Sequence, residues 1–294
     1  LSATLTVKSR AEIIPEIAVE DQPVLQAYPL LAGRREFVVF SPAAVSTPTS
    51  RTVTVTFVSS AQAAAEAVLV AENGGAVLWI VDTVDAAQQQ YRHFQETVGD
   101  NFPVGLLHSR FPFHRREALE AEWMERFGKE GSTRCGSILV STQIVEQSVD
   151  LDADLMVSEL APTDMLLQRL GRLWRHERGR RPVDAPCIRI IREEASETEL
   201  RTMAPKAIVA SLGGKAFVYE PFVLLRTLTV WQERQTTGVR IPAQVRELLE
   251  ATYADREDNP EPWQTLADEA FARAMACRQK ALSASNIWQP ALDC

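Results

Sequence analysis

The sequence predicts an α/β protein: a mostly parallel sheet with helices on both faces, followed by a mainly helical C-terminal region. Two observations carry this. Five short apolar runs of strand length, at residues 76–81 (AVLWIV), 104–108, 137–141 (SILVS), 155–157 and 187–191 (CIRII), alternate with stretches of helical length. Strands covered on both faces read as unbroken apolar runs, and a parallel crossover leaves room for a helix. From residue 219 onward the strand signal stops, and residues 221–231, 243–253 and 266–282 read as helices, with Pro260 and Pro262 in the loop before the last.

Each element has a local reason. Thr83 and Asp85 follow the first run and suit the cap of a helix reaching Phe94, because their side-chain oxygens accept from first-turn N–H groups. Pro112 opens a helix that carries Ala118, Leu119, Trp123 and Phe127 at helical spacing. Thr163 reads as the cap of a helix running through Gln168-Arg169-Leu170-Gly171-Arg172-Leu173-Trp174-Arg175. At about 100° per residue, Gln168, Arg172 and Arg175 share one face of it, and Leu166, Leu170, Leu173 and Trp174 share the other. Residues 1–50 are Pro-rich and mixed in pattern. The division expected is 1–50 as a connection, 51–195 as the sheet domain and 196–294 as a helical region.

Composition excludes several classes. The 294 residues are 46% hydrophobic and 24% charged, the balance of a globular protein, and a formal charge of -8 argues against coating nucleic acid by bulk charge. A local basic run does exist, with Arg169, Arg172, Arg175, Arg178, Arg180 and Arg181 beside His176. The four cysteines are widely spaced without a C-x-x-C pair, which supports neither a zinc knuckle nor a disulfide framework and points to a reducing, cytoplasmic setting. No apolar run approaches the roughly 20 residues of a membrane-spanning helix, so no membrane partner is expected. The first residue is Leu1, which suggests a processed product or a piece of a longer gene.

In parallel sheets, phosphate chemistry uses the loops at the carboxyl ends of strands. Here those loops hold His108-Ser109-Arg110, then Ser141-Thr142-Gln143 and Glu146-Gln147-Ser148-Val149-Asp150, and then the arginine helix. Two guanidiniums one helical turn apart, which cannot lose their protons, suit the charge that develops during phosphoryl transfer. Taken singly, several of these residues have plainer readings. Asp150 suits a turn cap and His108 a loop or core position; Arg110, Arg115 and Arg116 suit a solvated helix start, and 178–181 a solvated arginine loop. Glu146, Asp152 and Asp154 lack a nearby His partner, so no metal site is expected.

In order and spacing, residues 142–150 (TQIVEQSVD) and 168–175 resemble motifs V and VI of superfamily 2 helicases, and Ser2-Ala3-Thr4 resembles their motif III. The strings LWIVDTVDAAQQQY, LLHSRFPFHRRE, STQIVEQSVDLDADL, LLQRLGRLWRH, VYEPFVLLRTL and IPAQVRELLEATY narrow the likeness to the type I CRISPR-associated helicase-nucleases. Trp174 and Ala153 depart from the usual pattern. The resemblance implies a RecA-like lobe that works with ATP and Mg²⁺. Arg172, Arg175 and Gln168 would act at the γ-phosphate, and Asp150, with Ser148 and Gln147, at the nucleotide. Thr83, His108, Ser109, Arg110, Ser141, Thr142 and Gln143 would hold single-stranded DNA.

The implied partners are single-stranded DNA and an RNA-guided type I surveillance complex. Neither a G-x-x-x-x-G-K-[ST] loop nor an adjacent His-Asp pair is present, and Gly213-Gly214-Lys215 lacks both the leading glycine and the following hydroxyl. The Mg²⁺ ligands are therefore expected in a first lobe outside these residues, and this chain is expected to be inactive on its own. A general superfamily 2 helicase, or a docking module from a split gene, are the alternative readings.

Overall fold

The computed structural model describes residues 30–35, 38–44, 50–131, 133–146, 150–255 and 258–286. Ser2-Ala3-Thr4, Gln147 and Ser148 lie outside the described residues. β1 (Leu30–Arg35) and β2 (Val38–Ala44) form an antiparallel pair. There follow β3 (Arg51–Val58), α1 (Ser60–Glu72), β4 (Ala76–Ile80), α2 (Val84–Val98), β5 (Val104–Leu107) and α3 (Phe113–Phe127). Next come β6 (Ser137–Ser141), a 3-10 turn (Gln143–Glu146), β7 (Leu155–Glu159), α4 (Thr163–Leu170) and β8 (Cys187–Ile191). The rest is α5 (Glu197–Thr202), α6 (Pro205–Leu212), α7 (Lys215–Val218), α8 (Pro221–Gln232), β9 (Val239–Ile241), α9 (Val245–Tyr253) and α10 (Glu261–Asn286).

Among the described residues the main sheet has seven strands in the order β5-β6-β4-β7-β8-β3-β9. Every neighbouring pair is parallel except β3 with β9, which is antiparallel. The five runs read from the sequence are β4 to β8. Two strands of this sheet went unassigned. β3 reads T-V-T-V-T, with Val53 and Val55 buried and Thr52 and Thr54 exposed, so it carries a period-2 pattern where the central strands are apolar throughout. β9 has only three residues, too few to show any period.

The core lies between sheet and helices. Val77, Trp79, Ile138, Val140, Leu155 and Val157 from the strands meet Ala63, Ala67 and Ala71 of α1 and Ala87 and Phe94 of α2. Small alanines let α1 lie close to the sheet, while Phe94 meets Trp79 edge-on at 5.2 Å between centroids, the favoured aromatic arrangement. Ser59 and Gln62 close a capping box on α1, and the Thr83 hydroxyl accepts from the Ala86 N–H at the start of α2, as the sequence predicts. α3 is held against β5 by Trp123, whose ring occupies the space over Gly105. A Cβ there would sit 1.9 Å from Trp123 Cζ2.

The chain separates into two compact units, one comprising residues up to Glu193 together with Arg226–Ala254, the other Glu194–Leu225 with the residues from Asp255. Residues 226–254, grouped by sequence with the helical region, thus pack with the sheet unit. The tie is visible at Thr163. It does not cap α4, whose N-cap is Pro162 without a side-chain bond. Its buried hydroxyl instead meets the Thr252 hydroxyl at 2.6 Å and accepts from Trp231 Nε1 at 3.0 Å. In the other unit Trp263 is buried, donates from Nε1 to the Leu200 carbonyl at 2.8 Å, and has the Arg201 guanidinium 5.4 Å from its ring.

Gly105→Ala is expected to destabilise the sheet unit by about 1–3 kcal/mol, because the new methyl must displace Trp123. Urea unfolding followed by tryptophan fluorescence measures this, and an unchanged midpoint would show that α3 yields without cost.

Candidate nucleotide and nucleic-acid site

The sheet order sets three polar loops in a row. β5, β6 and β4 are neighbours, so the loops after them, carrying His108-Ser109-Arg110, Thr142-Gln143 and Asp82-Thr83, lie side by side at the carboxyl end of the sheet. Gln143 Nε2 donates to the Asp82 carbonyl at 3.0 Å, and the Thr142 N–H to the Leu107 carbonyl at 3.2 Å, which fastens each loop to the next. Ser109 and Arg110 are exposed, and Arg110 pairs with Asp85 at 3.4 Å with both side chains more than two-thirds exposed. Such a pair is worth at most about 1 kcal/mol and yields readily to a phosphate.

Two residues proposed for the same surface face elsewhere. Ser141 is fully buried, and its hydroxyl donates to the Leu107 carbonyl at 2.7 Å, so it joins β5 to β6. His108 is also buried and stacks on Phe111 at 4.2 Å. Burial, with the charge of Arg110 adding to it, holds its pKa below the usual imidazole value, which leaves a neutral ring under the loop.

The arginine segment differs from the sequence expectation in its geometry. α4 ends at Leu170, so Arg172 and Arg175 lie beyond the helix rather than on one face of it. Gly171 is the C-cap; Trp174 then adopts a positive φ of 47°, and Ala153 and Leu173 form a parallel bridge that draws the chain along the segment before β7. The two segments nevertheless meet. Arg172 donates from Nε to the Val145 carbonyl and from Nη2 to the Glu146 carbonyl, both at 3.1 Å. Arg175 meets Asp150 at 2.8 Å, and His176 meets the same carboxylate at 3.0 Å. Residues 142–146 and Asp150 therefore face residues 168–176. Burial and the charge of Arg175 lower the pKa of Arg172, with Asp150 and Glu146 opposing. Gln168 is half-buried on the last turn of α4.

Behind these side chains lie two groups of buried charges that the sequence did not reveal. Arg169, with no exposed surface, donates to Glu146 at 2.8 Å, to the Ser158 hydroxyl at 2.7 Å, and to Asp82 at 3.3 Å. Burial pushes Glu146 above the usual carboxylate range, and Arg169 opposes it. The second group centres on Asp152 and Asp154, both buried. Arg178 and Arg181 bind Asp152 at 2.5 and 2.9 Å, while Arg181 and Arg134 bind Asp154 at 2.6 and 2.7 Å. Half of the basic run is thus spent inside the protein, and the solvated-loop reading of 178–181 holds for the exposed Arg180 but fails for Arg178 and Arg181: Arg181 is buried against Trp174, its guanidinium 4.8 Å from the ring centroid. Arg51, at the start of β3, donates to the Leu170 and Trp174 carbonyls and so fixes both ends of the turn that presents Arg172.

One signal for Arg169 was present. Counted at about 100° per residue, it falls at the edge of the apolar sector, between Arg172 and Leu173 and nearer the leucine, where a charge that turns inward must find internal partners. For Arg51 and Arg134 no local pattern gives their partners, more than a hundred residues away in the first case. Among the described residues no group of His, Cys, Asp and Glu could hold a metal ion, and no helix is long and apolar enough to cross a membrane.

A parallel sheet with a row of polar loops at its carboxyl end, and paired arginines after the helix that follows β7, is the second RecA-like lobe of a superfamily 2 helicase motor. Residues 73–178 match the family model described as CRISPR-associated nuclease/helicase Cas3, C-terminal. The CRISPR-associated endonuclease/helicase Cas3 of Escherichia coli K12 is 33% identical over 201 residues, which is 67% of this chain and 21% of that protein. Crystalline T. fusca Cas3-ATP superposes with a TM-score of 0.68 at 30% identity, over 82% of this chain and 27% of that one. A chain of a CRISPR RNA-guided surveillance complex, pre-nicking, gives 0.65 at 29% identity, over 83% and 29%. The chain belongs to the Cas3 family, in its C-terminal helicase part, and spans about a fifth of the length of the Escherichia coli relative.

Asp152→Ala strands Arg178 and Arg181 and is expected to cost about 3–5 kcal/mol in urea unfolding. Burial alone would raise the Asp152 pKa, but hydrogen bonds from Arg178 and Arg181, with the charges of Arg181 and Arg134, bring it below the usual value. A depressed carboxylate contributes stability that is complete above its unfolded pKa of about 3.9 and disappears as pH falls through the folded value. Wild-type stability should therefore fall below about pH 4, and Asp152→Asn should lack that part of the loss. Parallel pH profiles for the two proteins would contradict the assignment.

Proposed function

We propose that this chain is the second motor lobe of an ATP-dependent single-stranded DNA translocase that acts in type I CRISPR interference. The observation that carries the reading is the facing of residues 142–146 and Asp150 with 168–176, Arg172 being hydrogen-bonded to the Val145 and Glu146 carbonyls and Arg175 paired with Asp150. Arg175 and Asp150 are 38% and 44% exposed, so their pair contributes little and can open when a triphosphate arrives. Among the described residues, Nη1 of Arg172 has no hydrogen-bond partner and remains for a phosphate oxygen. Asp150, released from Arg175, would accept from the ribose, Ser148 and Gln147 would also serve the nucleotide, and Gln168 would order the γ-phosphate. Guanidiniums placed before the reaction oppose the charge that grows on the phosphoryl group, and this is the chemistry the lobe would add. Mg²⁺ would be held by a first lobe, together with the β- and γ-phosphates.

Single-stranded DNA would cross the row formed by Ser109-Arg110, Thr142-Gln143 and the N-terminus of α2 at Thr83, held by its phosphates and without base preference. His108 and Ser141 would support that row from beneath. The likeness to a chain of a pre-nicking surveillance complex supports an RNA-guided complex as the partner, and guide pairing rather than this lobe would then choose the sequence. A cytoplasmic location accords with this reading.

In the two-lobe protein, Arg172→Ala is expected to lower ATPase kcat by about 10²–10³-fold and to leave single-stranded DNA affinity within about twofold. Retention of more than about a third of wild-type turnover would return the arginine to a structural role. Arg110→Ala should flatten the slope of log affinity against log salt by about 0.7, one phosphate's share, whereas Thr142→Ala should weaken binding at constant slope. An unchanged slope on losing Arg110 removes it from the track. The 294 residues by themselves should show no DNA-stimulated ATPase, and turnover that survives stringent purification would mean that the phosphate cradle lies within them.

A further inference from the structure

The DNA row and the nucleotide arginines are joined by a buried chain of charges. Arg169, Asp82 and Glu146 have side chains 0, 1 and 5% exposed, so each can be satisfied only by protein groups. Their bonds run between three separate segments. Asp82 belongs to the loop after β4; its carboxylate accepts from Arg169, its carbonyl from Gln143, and its N–H donates to Glu159 at 2.6 Å. It directly precedes Thr83, the cap of α2. Glu146 closes the 3-10 turn that Gln143 opens; its carboxylate accepts from Arg169 and its carbonyl from Arg172. Arg169 itself sits on the last turn of α4, three residues before Arg172.

The 3-10 turn therefore has one end on the DNA side, through Gln143, and the other on the nucleotide side, through the Val145 and Glu146 carbonyls that hold Arg172. A rigid turn of four residues passes a displacement of one end to the other only if it is pinned along its length. Arg169 does the pinning. It ties Glu146 to Asp82, so the loop after β4, the turn after β6 and the end of α4 are fastened to a single planar guanidinium, whose fork fixes the angles between its bonds.

We propose that Asp82, Arg169 and Glu146 form the link through which occupancy of the DNA row and the position of Arg172 depend on each other. This rests on the function proposed above and names the residues that couple its two sites. Arg169 is a positioning residue: it touches neither strand nor nucleotide. A ligand that shifts Gln143 or the Asp82-Thr83 peptide changes the anchorage of Arg169, and with it the carbonyls that aim Arg172. By linkage the effect is reciprocal, so nucleotide binding must alter strand affinity by the same factor.

The test is a linkage measurement on the two-lobe protein, with oligothymidylate and a non-hydrolysable ATP analogue as probes. The dissociation constant of each is measured with and without a saturating amount of the other, for wild type, Asp82→Asn, Arg169→Lys and Glu146→Gln. Wild type is expected to show a coupling factor within the usual range of roughly 5–150. In Asp82→Asn the factor should collapse to within about twofold of unity while each ligand alone binds within about twofold of wild type. Arg169→Lys, which keeps the charge and loses the fork, should behave likewise, and Glu146→Gln supplies a near-isosteric variant should the lysine disturb folding. A merely structural role would weaken both single-ligand affinities together, and that outcome, or a wild-type coupling factor in Asp82→Asn, overturns the link. Absence of binding of either probe to the wild type would instead bring down the functional reading, and the link with it.

Discussion

An arginine cannot shed its proton inside a protein, so every guanidinium buried in this lobe obliges carboxylates and carbonyls around it to take fixed positions. Arg169 and Arg181 are the two extremes of that constraint, the first without exposed surface and the second nearly so. Arg181 bridges Asp152 and Asp154, which precede β7, and Asp154 also accepts from the Ala76 N–H at the start of β4. The segment that returns after α4 is therefore nailed to the amino ends of two central strands. Replacing such pairs by apolar side chains could leave stability unchanged or raise it, because desolvation of the ions is costly. What the ions supply here is a defined path for a segment that has no helix or strand of its own between Leu170 and Cys187.

That division of labour separates the arginines by exposure. Arg169, Arg178 and Arg181 are enclosed and fixed, and each is bound to carboxylates. Arg172 is half-buried and bound to carbonyls, and Arg175 is more open, with a single exposed carboxylate as partner. Only the last two can exchange their present partners for a phosphate at small cost, since a carbonyl competes weakly with a doubly charged oxyanion and an exposed ion pair contributes little. Fixed charges hold the frame, and loosely held ones stay exchangeable.

The central strands were legible because burial on both faces writes itself as apolar runs, and β4 to β8 coincide with those runs within two residues. β3 was passed over although its T-V-T-V-T alternation is a plain strand signal; one of its faces is wetted, and a search for continuous apolar runs overlooks it. The extension of α4 through Arg175 failed for a different reason. Helical periodicity persists in the letters past Gly171, but the Leu173 bridge to Ala153 and the Arg51 bonds to the Leu170 and Trp174 carbonyls outweigh propensity, and both come from residues distant in sequence. At the site, the segments that meet, 142–146 with Asp150 and 168–176, lie within the stretches that motif order singled out. That Ser141 points inward was not legible, because a Ser at a strand end reads the same from either side, whereas a loop or core position was the plainer reading of His108, which is buried.

The most direct measurement is a structure of the two-lobe protein with ADP and a planar fluoride mimic of the transferring phosphoryl group. Arg172 and Arg175 are expected within hydrogen-bonding distance of the mimic, with the Arg175 to Asp150 pair opened and the Arg169 bonds to Glu146 and Asp82 retained. A mimic held by the first lobe alone, with both arginines still on the Val145 and Glu146 carbonyls and on Asp150, would contradict the assignment of this lobe as a wall of the nucleotide site.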